Sequence, residues 1–415
     1  MHHDPTSELP DDLMTGLADL GVHVGLNLQP GQDLVMTTPL GALPLARAIT
    51  AAAYRAGAGL VTPLINDPAM TLARYQNARA DSFDRAPGWL YDGIAQAFDD
   101  GAARLALVGD DPMLLAGQDA ALVARANRAN ATAYRPALAA ISGFAINWSI
   151  IACPSAAWAA RIFPDLAPDD ALAKLAAAIR MTARLDHADP VAAWAAHNRN
   201  LAERCAMLNA ARFDALRFRG PGTDLRVGLA QGHLWQGGAA QAKNGVTCNP
   251  NIPTEEVFTT PDAARVDGHV RATKPLSHQG SLIEEIEMQF EGGRAVAARA
   301  ARGQDVLREM LATDTGAARL GEVALVPHSS PVSQSGLLYF NTLFDENAAS
   351  HIAMGQCYAS CLEGGDRLTK DEIAARGGNE SLIHVDWMIG SGQMDVDGLD
   401  ADGQEHPLMR GGEWV

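Results

Sequence analysis

The stretch LFDENAASHIAMGQCYASC, Leu343 to Cys361, puts two carboxylates, a histidine, a tyrosine and two cysteines within nineteen residues. Three chemistries are open to such a set. Cys357 and Cys361 could form a redox pair or bind a metal. Glu346 and His351 could be half of a site for a divalent cation. Or the acidic residues could mark an ordinary helix start, where carboxylates meet the positive end of the helix dipole. Read as a helix over 347–361, the segment puts His351 and Tyr358 two turns apart on one face, with the cysteines on a neighbouring stripe. C-x3-C has no second Cys pair at zinc-ribbon spacing, so the cysteines read as small buried hydrophobes.

A second set lies in IHVDWMIGS. Alternate residues of a strand share a face, so His384 and Asp386 project side by side from an apolar strand. Such a pair, once buried, must be neutralised or hydrogen-bonded. A metal does both, and a His–Asp hydrogen bond at a strand end is the plainer alternative. LGEVALVP places Glu322 on another apolar strand, where a lone carboxylate is costly unless a salt bridge takes it up. CNPNIPTEEVFTTP carries Glu255 and Glu256 in a Pro- and Asn-rich loop, and residue type does not separate the two. His233, His269, His278 and His328 have no carboxylate at useful spacing. Ser329, Ser330, Ser333 and Ser335 cluster without a local triad partner and read as a substrate-facing or structural loop. No H-E-x-x-H, G-x-S-x-G, G-x-G-x-x-G or P-loop pattern occurs, which leaves zincin, serine-hydrolase and nucleotide chemistry without support.

These residues need elements to position them. The first half alternates short apolar runs with Ala-rich helical stretches. Strands are expected at 33–38, 59–67, 103–111 and 147–155, with a long helix near 117–140. Strands alternating with helices of this length imply parallel βαβ units. Residues 169–211 read as helical. From about 213 the texture changes to short alternating segments broken by Gly, Pro and Asn, which reads as antiparallel β-structure. A helix at 305–313 and strands at 321–327 and 382–391 follow. The expected fold is an α/β N-terminal domain, 1–190, and an α+β catalytic domain with antiparallel β-structure, 191–415. At about 150 residues per domain, 415 residues allow two or three domains, each large enough for its own core.

The net charge of −17 argues against nucleic-acid binding, which needs a basic face. Five scattered cysteines are no disulfide framework, and free thiols suit a reducing cytoplasm. The acidic start MHHDPTSELPDDL is unlike a signal peptide, and no apolar run approaches the ~18 residues of a membrane span. The expected protein is cytoplasmic, with no membrane or nucleic-acid partner.

PNIPTEEVFTTPD, LGEVALVPHSSPVSQSG, FNTLFDENAASHIAMG, NESLIHVDWMIGS and the terminal RGGEWV together resemble the aminopeptidase T/aminopeptidase S family of metallopeptidases, the M29 group. RFRGPGTDLRVGL, GHLWQGG and AAWAARIFPD extend the resemblance over nearly the whole chain. It implies a homodimer acting on peptide substrates with a two-metal centre. It further implies metal ligands at Glu256, Glu322, His351, His384 and Asp386, with Glu346 lining the centre and Tyr358 as active-site tyrosine. Glu322, Tyr358 and Glu346 are then the catalytic candidates. The ions would be Zn, Co or Mn. His328 departs from the family pattern and bears on substrate preference.

Elementary coordination chemistry agrees. Two histidines and three or four carboxylates exceed the three or so protein ligands of a single catalytic zinc. They suit two divalent ions sharing a carboxylate. The reading is therefore a metal-dependent aminopeptidase. The alternative is a mononuclear Fe(II) ring-cleaving dioxygenase of the dihydroxypyridine-dioxygenase kind, using His351, His384 and Asp386 as a 2-His-1-carboxylate set. Glu256 and Glu322 would then have no task. A non-catalytic binding protein on the same fold is a third possibility, which an intact ligand set disfavours.

Overall fold

The computed structural model describes residues 9–278 and 281–415. Two compact units are present. One comprises residues up to 196 together with 239–253, the other residues 197–238 and 254–415.

The first unit is built on a parallel sheet. Its strands are β1 (Leu34–Pro39), β2 (Val61–Asn66), β3 (Ala103–Val108), β4 (Trp148–Ala152) and β5 (Asn251–Ile252), in the order β2-β1-β3-β4-β5. β2 to β4 fall within expected runs, and β1 runs one residue past its own. Helices Leu43–Arg55, Pro68–Asn77, Gly88–Asp99 and Ala120–Ser142 lie between consecutive strands, as parallel pairing requires. The fifth strand corrects the expected boundary at 190/191. Ile150 and Ile151 of β4 pair with Asn251 and Ile252, so a piece of the expected catalytic half completes the first sheet. Residue 190 is instead the first of a continuous helix, Pro190–Ala211. A two-residue strand carries no periodicity from which it could be read.

The second unit holds two large antiparallel sheets, besides the two-stranded ladder of Leu276–His278 with Ser281–Ile283. The larger runs in the order 294–299, 287–291, 261–271, 223–229, 215–220, 395–399, 405–410, 413–414. The smaller has four strands: β6 (Val257–Thr259), β7 (Leu320–Leu325), β8 (His351–Gly355) and β9 (His384–Met388), in chain order. Their sequences explain the sheet. In β7, β8 and β9 the apolar residues Val323, Leu325, Ile352, Met354, Val385 and Trp387 recur at every second position and enter one core cluster. The intervening positions carry Glu322, His351, Ala353, His384 and Asp386. Strands buried on both faces can keep polar groups only if those groups satisfy one another or a ligand.

The expected helix over 347–361 is not formed. The acidic residues do not open a helix: a short helix at Thr342–Asp345, capped by Asn341, ends at Asp345, a 3-10 turn at Glu346–Ala348 follows, and Ala349 then turns extended at φ −167°. His351 to Gly355 is a fully buried strand paired on both sides. Tyr358 lies beyond that strand, before the 3-10 turn Ala359–Cys361. Four paired positions with β7 and five with β9 outweigh the modest helix preference of an Ala-containing segment.

Candidate metal centre

Register brings the candidates together. Ala353 of β8 pairs with Glu322 on one side and Asp386 on the other. His351 pairs with Ala324 and Met388, and Gly355 pairs with His384. Paired residues share a face, so Glu322, His351, His384 and Asp386 all project from one side of the sheet, around the small Ala353. Gly355 has φ 104°, and a Cβ there would meet Ile383 O at 2.1 Å, so the strand closes against β9 only with glycine.

His351 Nε2 lies 3.1 Å from Glu256 Oε2 and 3.5 Å from Glu322 Oε1. His384 Nε2 lies 3.6 Å from Glu322 Oε2 and 3.4 Å from Asp386 Oδ1. Two overlapping sets result, Glu256–Glu322–His351 and Glu322–His384–Asp386, each with one ligand atom per residue within 4.8 Å of the others. Glu322 belongs to both sets through different oxygens. Glu255 is set apart from Glu256 by this geometry: its carboxylate is 3.7 Å from His197 Nε2 instead.

Both imidazoles are oriented by backbone carbonyls. His351 Nδ1 bonds Ala349 O at 3.1 Å and His384 Nδ1 bonds Gln356 O at 2.7 Å. A carbonyl only accepts, so each Nδ1 carries the proton and each Nε2 faces the cluster, the usual preparation of a histidine ligand. Tyr358 arrives from the loop after β8. Its ring centroid is 4.7 Å from that of His384 and 6.0 Å from that of Phe258. The sequence reading put Tyr358 beside His351 on a helix; it stands beside His384 from a loop.

The residues fit a cation. Glu256 Oε2 and Asp386 Oδ1 are buried and have no aligned hydrogen-bond donor. Four carboxylates crowd two imidazoles, an excess of negative charge in a buried place. Burial pushes Glu322 up to about 7. Burial, then the charges of Glu256 and Asp386, hold Glu346 well above the usual carboxylate range. Burial acts to lower both histidines, but carboxylates more than offset it. Glu256 and Glu322 carry His351 well above its ordinary value, and Asp386, then Glu322, carries His384 to about 10. Burial would raise Asp386, yet His384 brings it below its ordinary value. Burial and the surrounding carboxylates keep the Tyr358 hydroxyl protonated, as a donor.

A linkage follows. Near pH 7 the metal-free cluster holds a proton on His384 and part of one on Glu322, and the surroundings of His351 and Glu346 favour their protonated forms. Metal ligands must give theirs up. Binding of Zn2+ or Co2+ should therefore release more than one proton, and apparent affinity should fall as pH drops through 7. Titration calorimetry in buffers of different ionisation enthalpy checks this; a buffer-independent heat would refute it.

Other candidates lie outside the cluster. His328 Nδ1 is 3.2 Å from Ser333 Oγ, and Ser330 caps the short helix Pro331–Gln334. His233 bonds Ala230 O. All five cysteines are free and buried. Asn347, which sequence reasoning passed over, is completely buried and bonds the Glu255 amide. Its place directly after Asp345 and Glu346 was the only signal available.

Known proteins resemble the whole chain. The family of thermophilic metalloproteases, M29, matches residues 11–414. Aminopeptidase T of Thermus thermophilus is 54% identical over 399 residues, covering 96% of this chain and 97% of its own. Aminopeptidase 2 of Geobacillus stearothermophilus is 44% identical over 398 residues, covering 96% of each chain. The solved structure of wild-type AmpT from Thermus thermophilus superposes with a TM-score of 0.93 at 53% identity, over 97% of this chain and 99% of that one. With a buried His and carboxylate cluster at its centre and family likeness from end to end, the chain belongs to the M29 metallopeptidases and is a hydrolase of that family.

Proposed function

We propose that this protein is an aminopeptidase that removes N-terminal residues from peptides, using two divalent ions held by Glu256, Glu322, His351, His384 and Asp386. The observation that carries the two-ion reading is Glu322, whose two oxygens face two different histidines and divide the cluster into two overlapping ligand sets. A single Fe(II) on His351, His384 and Asp386 would leave Glu256 without a task. Zn2+, Co2+ and Mn2+ all suit the mixed imidazole and carboxylate donors.

When bound, such ions lower the pKa of a water and polarise the scissile carbonyl. The chain's own groups do the rest. Tyr358 keeps its proton and stands over His384, placed to donate to the oxyanion of a tetrahedral intermediate. Glu346 belongs to neither ligand set, and its raised affinity for protons suits it to take one from the attacking water and pass it to the leaving amine. Acidic walls favour a positively charged α-amine.

Among the described residues, no helix is long and apolar enough to cross a membrane. The reading includes a cytoplasmic homodimer. Ile65, Met70 and Trp89 of the first unit are exposed apolar side chains that a second copy would cover.

The test is direct. A chelator should abolish hydrolysis of amino-acid arylamides, and Zn2+, Co2+ or Mn2+ should restore it. N-acetylated arylamides should remain uncut. Metal analysis should give two ions per chain; one iron per chain would favour the ring-cleaving alternative instead.

A further inference from the structure

The two ligand sets are held in place by different means. Glu322, His351, His384 and Asp386 sit within β7, β8 and β9, where ladder register fixes them. Glu256 lies one residue before β6, whose pairing with β7 begins at Val257. Glu346 lies in a 3-10 turn. Neither has a place in the ladder.

Asn347 ties them together. It is fully buried and follows Glu346 directly. Its Oδ1 accepts from the Glu255 amide at 2.6 Å, one residue before Glu256. Its Nδ2 donates to Leu343 O at 2.9 Å, which fixes the side chain to the helix that leads into the turn. Its carbonyl accepts from Ser330 Oγ at 3.1 Å. His197 Nε2 bonds Thr254 O at 2.8 Å and steadies the far end of the same segment.

We propose that Asn347 is a positioning residue of the metal centre: it holds the Thr254–Glu256 segment to the Glu346 turn, so that the ion position formed by Glu256, Glu322 and His351 depends on it and the position formed by Glu322, His384 and Asp386 does not. This rests on the two-ion reading above. Loss of the clamp frees one ligand of the first set and none that is peculiar to the second.

The test is stepwise titration of the metal-free, full-length protein with Co2+, followed by calorimetry and metal content. Asn347→Ala should weaken one of the two binding events by about 10–100-fold, the usual effect of removing an outer partner of a ligand, and leave the other within about threefold. Asn347→Asp keeps the oxygen that accepts the Glu255 amide but turns an oxygen in place of the donor toward Leu343 O, and should regain only part of the loss. Ser330→Ala removes a bond to the Asn347 carbonyl but not the clamp; it should lower the melting temperature and keep both binding events. Should Asn347→Ala not fold, Asn347→Ser, whose hydroxyl is too short to reach the Glu255 amide, takes its place. If the wild type binds two ions and the Asn347 variant weakens neither, or both equally, the proposal is overturned. A wild type that takes up a single ion overturns the two-ion reading itself, and the proposal with it.

Discussion

Glu322→Gln should empty the metal centre of both ions. The other ligands each belong to one set, whereas Glu322 faces His351 with one oxygen and His384 with the other. Losing even an outer partner lowers metal affinity by about 10–100-fold, so losing a shared ligand should exceed ~100-fold at each position. Peptidase activity should fall with the metal, to the level of the chelated enzyme. Glu256→Gln makes the contrast: it removes a ligand of one set only, so one ion should remain. Metal analysis after dialysis, beside kcat/KM on an arylamide, measures both. A Glu322→Gln protein that keeps two ions would show that the carboxylate is not a ligand.

The same substitution carries a signature that separates it from misfolding. The folded-state pKa of Glu322, about 7, lies above its ordinary value of 4.5. The metal-free folded state therefore binds more protons than the unfolded chain between those values, and its stability falls as pH rises through that window. Glutamine imitates the protonated form. At pH 8 the metal-free variant should melt no lower than the metal-free wild type, although the metal-loaded wild type should melt above both.

Much of this site is legible in the sequence, for an identifiable reason. HVDWM and LGEVAL alternate apolar and polar residues, and period two alone places His384 beside Asp386 and Glu322 among core residues. HIAMG carries the same signal, since Ile352 and Met354 enter the core while His351 and Ala353 face the site. The acidic residues before it read as a helix start, but the helix there is opened by the Asn341 cap and ends at Asp345. A local cap says where an element opens and not how far it runs. Tyr358 is the costlier misreading, because helix geometry paired it with the wrong histidine. Neither composition nor spacing separates Glu255 from Glu256. Only their approach to β6 turns one toward His351 and the other toward His197. Long-range pairing, which a local pattern does not encode, also decides that residues 251–252 complete the first unit's sheet.

Glu346→Gln should separate proton transfer from metal binding. Glu346 is in neither ligand set and in no ladder, so the variant should retain both ions. Its electrostatic position explains what would be lost. Burial, Glu256 and Asp386 all favour its protonated form, which suits it to take a proton from an attacking water. General acid–base groups contribute about 10^2–10^4-fold, so kcat should fall by that range with KM little changed. Glutamine keeps the size and polarity of the side chain and removes only its capacity to exchange a proton. A shorter carboxylate, Glu346→Asp, should recover part of the rate because the group still titrates, though from a greater distance. Loss of an ion in Glu346→Gln would make this residue a ligand after all. An unchanged kcat with both ions present would remove it from the reaction and leave the proton to Glu322 or to solvent.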